Sequence, residues 1–171
     1  MEFKLVPATT GDAPELATLH TAVAAHLTSQ FGKGHWSSRT SVKGALYALR
    51  TTQVFVMRDG GEIVAALRLT RKRPWAIDAS HFTATSQPLY LIAMAVSPKR
   101  QRQGIGRQCL KEAARIAREL KGDALRLSSY DSPAGAGGFY QSCGYREVGR
   151  KTYRETPLVY FELVLGGIGS D

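Results

Sequence analysis

Lys99, Arg100 and Arg102 stand directly before Gly104 and Gly106 in the stretch AVSPKRQRQGIGRQCLKEAARIAREL (residues 95–120), and Arg107 follows the second glycine. Residues of these types in this order suit an anion. The first backbone N–H groups of a helix lack intrahelical partners, and the helix dipole adds partial positive charge at that end. Glycines at 104 and 106 remove side chains that would keep a phosphate away from those N–H groups. The four cations add longer-range attraction. Two familiar phosphate loops do not fit: a Walker-type loop needs Gly-Lys-Ser/Thr where Gly106-Arg107-Gln108 stands, and a dinucleotide fingerprint needs glycine at Cys109.

Elements must position this loop. LYLIAMAV (residues 89–96) is continuously apolar and reads as a strand buried on both faces. From Gly104 to Lys121 a helix is expected. Ile105, Cys109, Ala113, Ile116 and Leu120 recur at steps of three and four, Arg107, Lys111, Arg115 and Arg118 lie off that stripe, and Gly122 offers a stop. ALRLSS then reads as a strand, which makes a central βαβ unit. Before it, FKLVPATTGDAPELATLHTAVAAHL reads as strand, turn and helix, with Asp12 as cap and Pro14 just inside the start. SVKGALYALR is a second, shorter helix. QVFVMRDGGEIVAALRLT reads as a hairpin turning at Asp59-Gly60-Gly61. Arg71 to Pro88 reads as a long loop. After the βαβ unit come a short glycine-loosened helix in AGAGGFYQSC and a closing hairpin, YREVGRKTY with PLVYFELVL. The order β-α-α-β-β, then β-α-β-α-β-β, is mixed α/β. One domain is expected over residues 1–165, with a fraying tail at 166–171.

Composition sets the outer limits. The 171 residues are 43% hydrophobic, enough for a globular core, and the net charge is +9, which favours anionic partners without choosing among them. Cys109 and Cys143 form no Cys-x-x-Cys and have no histidine at zinc spacing, so neither a disulfide framework nor a metal is indicated. No stretch is long enough to span a bilayer and no signal-peptide pattern is present, so a reducing, cytoplasmic setting is expected. A nucleic-acid-binding reading would use the charge for phosphate contacts. It ranks last, because no RNP-like, zinc-finger or helix-turn-helix pattern accompanies it.

Two motifs combine into a family resemblance. Gln101-Arg102-Gln103-Gly104-Ile105-Gly106 fits Gln/Arg-x-x-Gly-x-Gly/Ala after Val96-x-Pro98 at a strand end, and some thirty residues on GFYQSCGYREVGR begins a terminal hairpin. Together, at this spacing and in this element order, they resemble the GCN5-related N-acetyltransferase (GNAT) superfamily over nearly the whole chain. The resemblance implies a GNAT-like acyl-CoA N-acyltransferase fold. It implies acetyl-CoA as acyl donor, with its pyrophosphate at Gln101, Arg102, Gln103, Gly104, Ile105 and Gly106, Arg107 at the helix start, and its pantetheine arm along Met94, Ala95 and Val96. It implies Tyr140 as the acid that protonates the departing thiolate; taken alone, Tyr140 reads as a core tyrosine. The implied reaction is transfer to a primary amine of a small molecule or peptide (a free amino acid, a polyamine, an aminoglycoside-like compound and a protein N-terminus all stay open) by direct attack in a ternary complex, with an N–H near Ala95 or Val96 polarising the carbonyl. A cysteine acyl-enzyme is not favoured, since Cys109 falls on the helix's apolar face and Cys143 has no adjacent base.

Several positions depart from the pattern or leave it open. Asn is common seven residues before the tyrosine, where this chain has Pro133, and Asp131 or Ser132 are the nearest substitutes. The glycines at 135, 137 and 138 suggest close backbone approach near the cofactor arm. An amine must lose a proton before attack, yet LYLIAMAV holds no carboxylate or histidine. Asp78 and His81 in the preceding loop are the candidate bases, directly or through water. His20 and His26 fall in the first helix and read as surface or partly buried residues. His35, Trp36, Trp75, Phe82 and Tyr90 are candidates to line an acceptor pocket, with core packing as the alternative for the aromatics. The missing strand carboxylate supports a second reading, a non-catalytic acyl-CoA-binding or regulatory module. Relatives of this kind are often homodimers, and nothing in the sequence marks an interface.

Overall fold

The computed structural model describes residues 3–166, so all but the first residue of the expected tail lies outside the described residues. The chain divides into two compact units. The first comprises the residues up to Leu69 together with Ala93–Glu112, and the second comprises Thr70–Ile92 and the residues from Ala113 onward.

The first unit opens with β1 (Val6–Pro7), a 3-10 turn at Thr10–Asp12, α1 (Ala13–Phe31) and α2 (Val42–Thr51), followed by β2 (Gln53–Asp59) and β3 (Glu62–Thr70). Ala13, Leu16, Ala17 and Ala24 recur at helical steps along α1 and are buried. Pro14 sits in the first turn as expected, but Asp12 does not cap α1. Its carboxylate instead accepts the Thr9 N–H at 2.8 Å and pairs with Arg58, which stabilises the preceding turn. α2 is capped by Ser41, whose hydroxyl accepts the Gly44 N–H at 3.0 Å. The β2–β3 hairpin turns through Gly60 and Gly61 at φ 59° and 84°, the left-handed pair such a two-residue turn needs. Leu16, Leu19, Ala45, Val54, Ala66 and Ala95 share one apolar core.

β4 (Pro88–Val96) starts in the second unit and ends in the first, and α3 (Ile105–Glu119) does the reverse. β5 (Ala124–Tyr130), α4 (Gly137–Ser142), β6 (Arg146–Tyr153) and β7 (Thr156–Val164) complete the second unit. Hydrogen bonding orders the strands β1-β2-β3-β4-β5-β7-β6 in one mixed sheet, with β4 and β5 the parallel pair. β7 buries Leu158 to Glu162, whereas β6 is mostly exposed and carries Arg146, Arg150 and Lys151, a charged edge that resists pairing with other strands. Ile77, Phe82, Tyr90, Leu158 and Tyr160 form this unit's apolar cluster.

Two expectations change at the ends of the βαβ unit. β4 is buried at Leu89, Tyr90 and Leu91 but opens at Ile92 to Met94, with Ala93 exposed at φ 53°. A left-handed alanine breaks the alternation of a strand, and the parallel pairing with β5 stops at Tyr90. At the end of α3 the left-handed residue is Lys121, φ 65°, not Gly122. Lys121 N–H donates to the Arg118 carbonyl and Gly122 N–H to that of Ala117, a Schellman arrangement. Glycine is required at 122 for space, since a Cβ there would lie 2.9 Å from Leu89 Cδ1.

Candidate active site

The basic loop rests on a short series of backbone contacts within the first unit. Ser97 N–H donates to the Val64 carbonyl at 2.8 Å and fixes the end of β4 on β3. A 3-10 turn at Pro98–Arg100 follows, and Arg102 and Gly104 then take φ 61° and 81°. α3 begins at Ile105. Its first helical bond, Gln108 N–H to the Gly104 carbonyl at 3.0 Å, leaves the amides of Ile105 and Gly106 ahead of the ladder. A Cβ on Gly104 would meet nothing within 4 Å, so the left-handed backbone demands glycine there and the space beside it is open.

Side chains divide the expected loop residues by what they can offer. Gln101, Arg102, Gln103 and Arg107 are exposed, while the Ile105 side chain is buried and only its amide can face a ligand. Arg100 pairs with Asp59 at 2.7 Å and donates to Gln103 Oε1 at 3.0 Å, so it shapes the loop more than it adds field. On β4, Ala95 belongs to the apolar core and Met94 and Val96 are half-buried. The structure thus gathers Met94–Val96 and Gln101–Arg107 at the β4–α3 connection. Cys109, behind them, is fully buried with its Sγ 3.9 Å from Met57 Sδ, and burial and Glu112 push its thiol up to about 12. Such a thiol stays protonated and is no nucleophile.

Tyr140 belongs to the second unit. It is 8% exposed and packs against Phe139, Tyr145 and Phe161 at ring-centroid distances of 5.5, 5.8 and 5.9 Å. Burial, with Cys143 beside it, pushes its phenol up to about 12, so it is a neutral hydroxyl able to donate. Tyr145 is buried too, and its hydroxyl has no hydrogen-bond partner among the described residues. The residues before α4 are largely held by the protein itself. Both Asp131 carboxylate oxygens accept from Arg150 Nη1, at 2.9 and 3.0 Å, and Ser132 Oγ accepts the Ala134 N–H at 3.3 Å. A Cβ on Gly135 would collide with the Tyr130 carbonyl at 1.9 Å, and one on Gly137 would press Phe161 at 3.1 Å. Their small size therefore serves internal packing; only Gly138 faces open space.

The candidate bases and pocket aromatics lie in the same unit. Asp78 accepts from Lys151 Nζ at 2.7 Å and from Ser80 Oγ at 2.6 Å, contacts that hold its carboxyl far below the usual range and make it a weak base. His81 stacks edge-on against Tyr160 at 5.3 Å. Trp75, 79% exposed, and Asp78 line an open cleft with Lys151 and Tyr153. Phe82 and Tyr90 do not line it; both are buried in the apolar cluster, with the Arg126 guanidinium over their rings.

A cavity of about 280 Å³ in the first unit contains residues the sequence did not single out together. α1 contributes His20, α2 contributes Gly44, Tyr47 and Ala48, and β3 contributes Arg68; Ala93 of β4 completes the wall. The available signal was small: Arg68 is the one charged residue between Ile63 and Thr70, two positions from core residue Ala66 and so on the same face. His35 and Trp36 do not line this cavity. His35 is exposed, and Trp36 covers Gly34 and donates to the Gly32 carbonyl at 2.9 Å.

Comparison with known proteins fits this architecture. No curated protein matches the sequence. Among solved structures, an N-acetyltransferase from Staphylococcus aureus Mu50 superposes with a TM-score of 0.71 at 14% identity, covering 97% of this chain and 100% of its own. The ribosomal-protein-S18-alanine N-acetyltransferase of Escherichia coli gives 0.70 at 19%, covering 99% and 97%. The Salmonella typhimurium protein yncA, solved with its cofactor acetyl-CoA, gives 0.70 at 16%, covering 98% and 96%. These likenesses establish the fold. The family model described as an acetyltransferase (GNAT) domain matches residues 50–147, which is more than half of the sequence and includes β4, the basic loop, α3 and Tyr140. The chain belongs to the GNAT acetyltransferase family.

Proposed function

We propose that this protein is an acetyl-CoA-dependent N-acetyltransferase that moves an acetyl group to a primary amine by direct attack in a ternary complex, with residues 1–165 acting as one domain. The observation that carries the reading is the left-handed Gly104, open beside its Cα and set directly ahead of the first amides of α3, which precede the helical ladder that begins at Gln108. A diphosphate would fit that open space, held by backbone N–H groups between Gln101 and Gly106 with Arg107 beside them. Met94, Ala95 and Val96 would offer backbone to the pantetheine arm, Ala95 or Val96 giving the N–H that polarises the carbonyl. Acetyl-CoA supplies a thioester whose thiolate is a good leaving group. In the transfer, an N–C bond forms and a C–S bond breaks; the amine loses a proton and the thiolate gains one. Tyr140 is the proposed donor of that second proton, and its neutral, buried hydroxyl suits the part. Asp78, held ionised by Lys151 and Ser80, is unsuited to take the first.

The two free cysteines suit a reducing, cytoplasmic setting, and among the described residues no helix is long and apolar enough to cross a membrane. Calorimetric titration with acetyl-CoA at two salt concentrations, followed by thiol-release assays over a panel of amines, tests the reading. Saturable one-site binding with amine-dependent thiol release supports it. Binding without release for any amine would favour the acyl-CoA-binding module, a reading that the lack of a carboxylate on β4 supports. No binding at either salt would overturn both.

A further inference from the structure

We infer that the cavity bounded by α1, α2 and β3 is a recognition site for the carboxylate of the acceptor, so that the substrates are small amines that also carry a carboxylate group. The inference rests on the acetyltransferase reading and names the substrate class for it. Arg68 sits opposite Val54 on the β2–β3 ladder and shares a face with Ala66, which directs it to the side of the sheet that α1 and α2 cover. It is half-buried and lines the cavity, and its guanidinium has no hydrogen-bond or ion-pair partner among the described residues. No lining residue is acidic. Elsewhere in this chain half-buried arginines have partners: Arg58 pairs with Asp12 and Arg100 with Asp59. A guanidinium cannot shed its charge at neutral pH, so a partly desolvated one without a counterion calls for an anion from outside.

The cavity's other features narrow that anion. The other polar rings that line it are His20 on α1 and Tyr47 on α2. Burial first, and then the charge of Arg68, hold the His20 imidazole below its ordinary value, so it is neutral near pH 7 and Arg68 is the one standing charge. One cation matches a monoanion, and a planar fork matches a carboxylate. The volume, about 280 Å³, lies at the small end for ligand clefts, which suits a compact molecule. Ala93 joins the cavity to the β4 segment on which the proposed acyl arm runs, one residue before Met94. A carboxylate held at Arg68 would orient the amine end of the same molecule towards that segment. A polyamine would instead bring a second ammonium against Arg68 and be rejected.

The test compares free L-amino acids and ω-amino acids, each paired with its carboxamide, by calorimetric titration of the acetyl-CoA-loaded protein and by kcat/KM. The wild type is expected to favour the best carboxylate over its carboxamide by about tenfold to a hundredfold, mainly through KM. Arg68→Gln should bring that ratio close to one, and Arg68→Lys should leave an intermediate ratio, because it keeps charge but not the fork. Acetyl-CoA affinity, titrated separately, should stay unchanged in both. A wild-type ratio near one, a ratio retained in Arg68→Gln, or an equal loss of acetyl-CoA affinity overturns the inference. If Arg68→Gln melts early, the Arg68→Lys ratio decides. Failure of the wild type to bind acetyl-CoA would sink the proposed function instead, and carboxylate titration of the free protein would still decide this site.

Discussion

Gly104 and Gly60 allow a matched comparison. Both have left-handed φ, 81° and 59°, and a Cβ on either would meet nothing within 4 Å. Alanine at either position therefore adds backbone strain and no clash. Left-handed alanine costs about 1–2 kcal/mol, offset by about 0.4–1 kcal/mol because alanine also restricts the unfolded chain. The net is roughly 1 kcal/mol for each variant, or about 2–4 °C in Tm for a chain of this size. Gly60 turns the β2–β3 hairpin, whereas Gly104 precedes the amides proposed to hold the diphosphate. Displacing one charge-assisted hydrogen bond there costs about 1.5–3 kcal/mol, which weakens acetyl-CoA binding about tenfold to a hundredfold. Thermal melts and calorimetry on Gly104→Ala and Gly60→Ala read both quantities. Equal Tm losses are expected, with the affinity loss confined to Gly104→Ala. Equal acetyl-CoA affinity in the two variants would refute the placement of the diphosphate on this loop. A much larger Tm loss at 104 would refute the claim that its surroundings are open.

Tyr140→Phe should slow turnover far more than it weakens acetyl-CoA binding, and an unchanged kcat would remove Tyr140 as the acid. Its folded value of about 12 lies above the ordinary 10, so its contribution to stability is complete below pH 10 and is lost as pH rises towards 12; urea melts across that range should fall more gently in Tyr140→Phe. Tyr145→Phe removes a buried hydroxyl that has no partner among the described residues and should raise stability by about 1 kcal/mol, read as a higher Tm. Glu162 is 1% exposed; burial alone would raise its carboxyl, but bonds from Thr83 at 2.5 Å and Arg146 at 2.7 Å outweigh that and hold it low. Its contribution is present above the unfolded carboxylate range and lost as pH falls through the folded value. Glu162→Gln should cost about 1–3 kcal/mol at neutral pH and flatten the acid limb. The loss stays in that range because the Arg146 side chain left behind is 70% exposed.

The frame was legible in the sequence where period and punctuation agreed. The α3 stripe, the Asp59-Gly60-Gly61 turn and the terminal hairpin each needed only local rules, and each formed. The misreadings share a cause: the chemistry of one residue was read without the partner that claims it. Asp12 looked like a cap until Arg58, distant in sequence, drew its carboxylate to the preceding turn. Gly122 does follow the end of α3 as a stop, but the left-handed strain falls on Lys121 and the glycine is needed for the space against Leu89. Asp78 stood in the sequence only as one candidate base beside His81, and Lys151, 73 positions away, is the partner that holds it ionised.

The basic loop and the Arg68 cavity stand at opposite ends of that scale. The loop's proposed anion site would be made of consecutive backbone amides, so glycine spacing and a strand-to-helix switch announce it in one continuous stretch. The cavity draws its walls from α1, α2, β3 and β4, and its charge from one arginine in a strand that otherwise reads as core. No window of sequence holds more than part of it. What reveals Arg68 is a missing acidic partner, and that can be seen only once the fold has fixed which side chains are near enough to serve. A donor with a shared handle can therefore be bound by a contiguous motif, whereas an acceptor is read by scattered side chains. The motifs accordingly point to the donor through the family they resemble, whereas any proposal for the class of acceptor has to start from the folded chain.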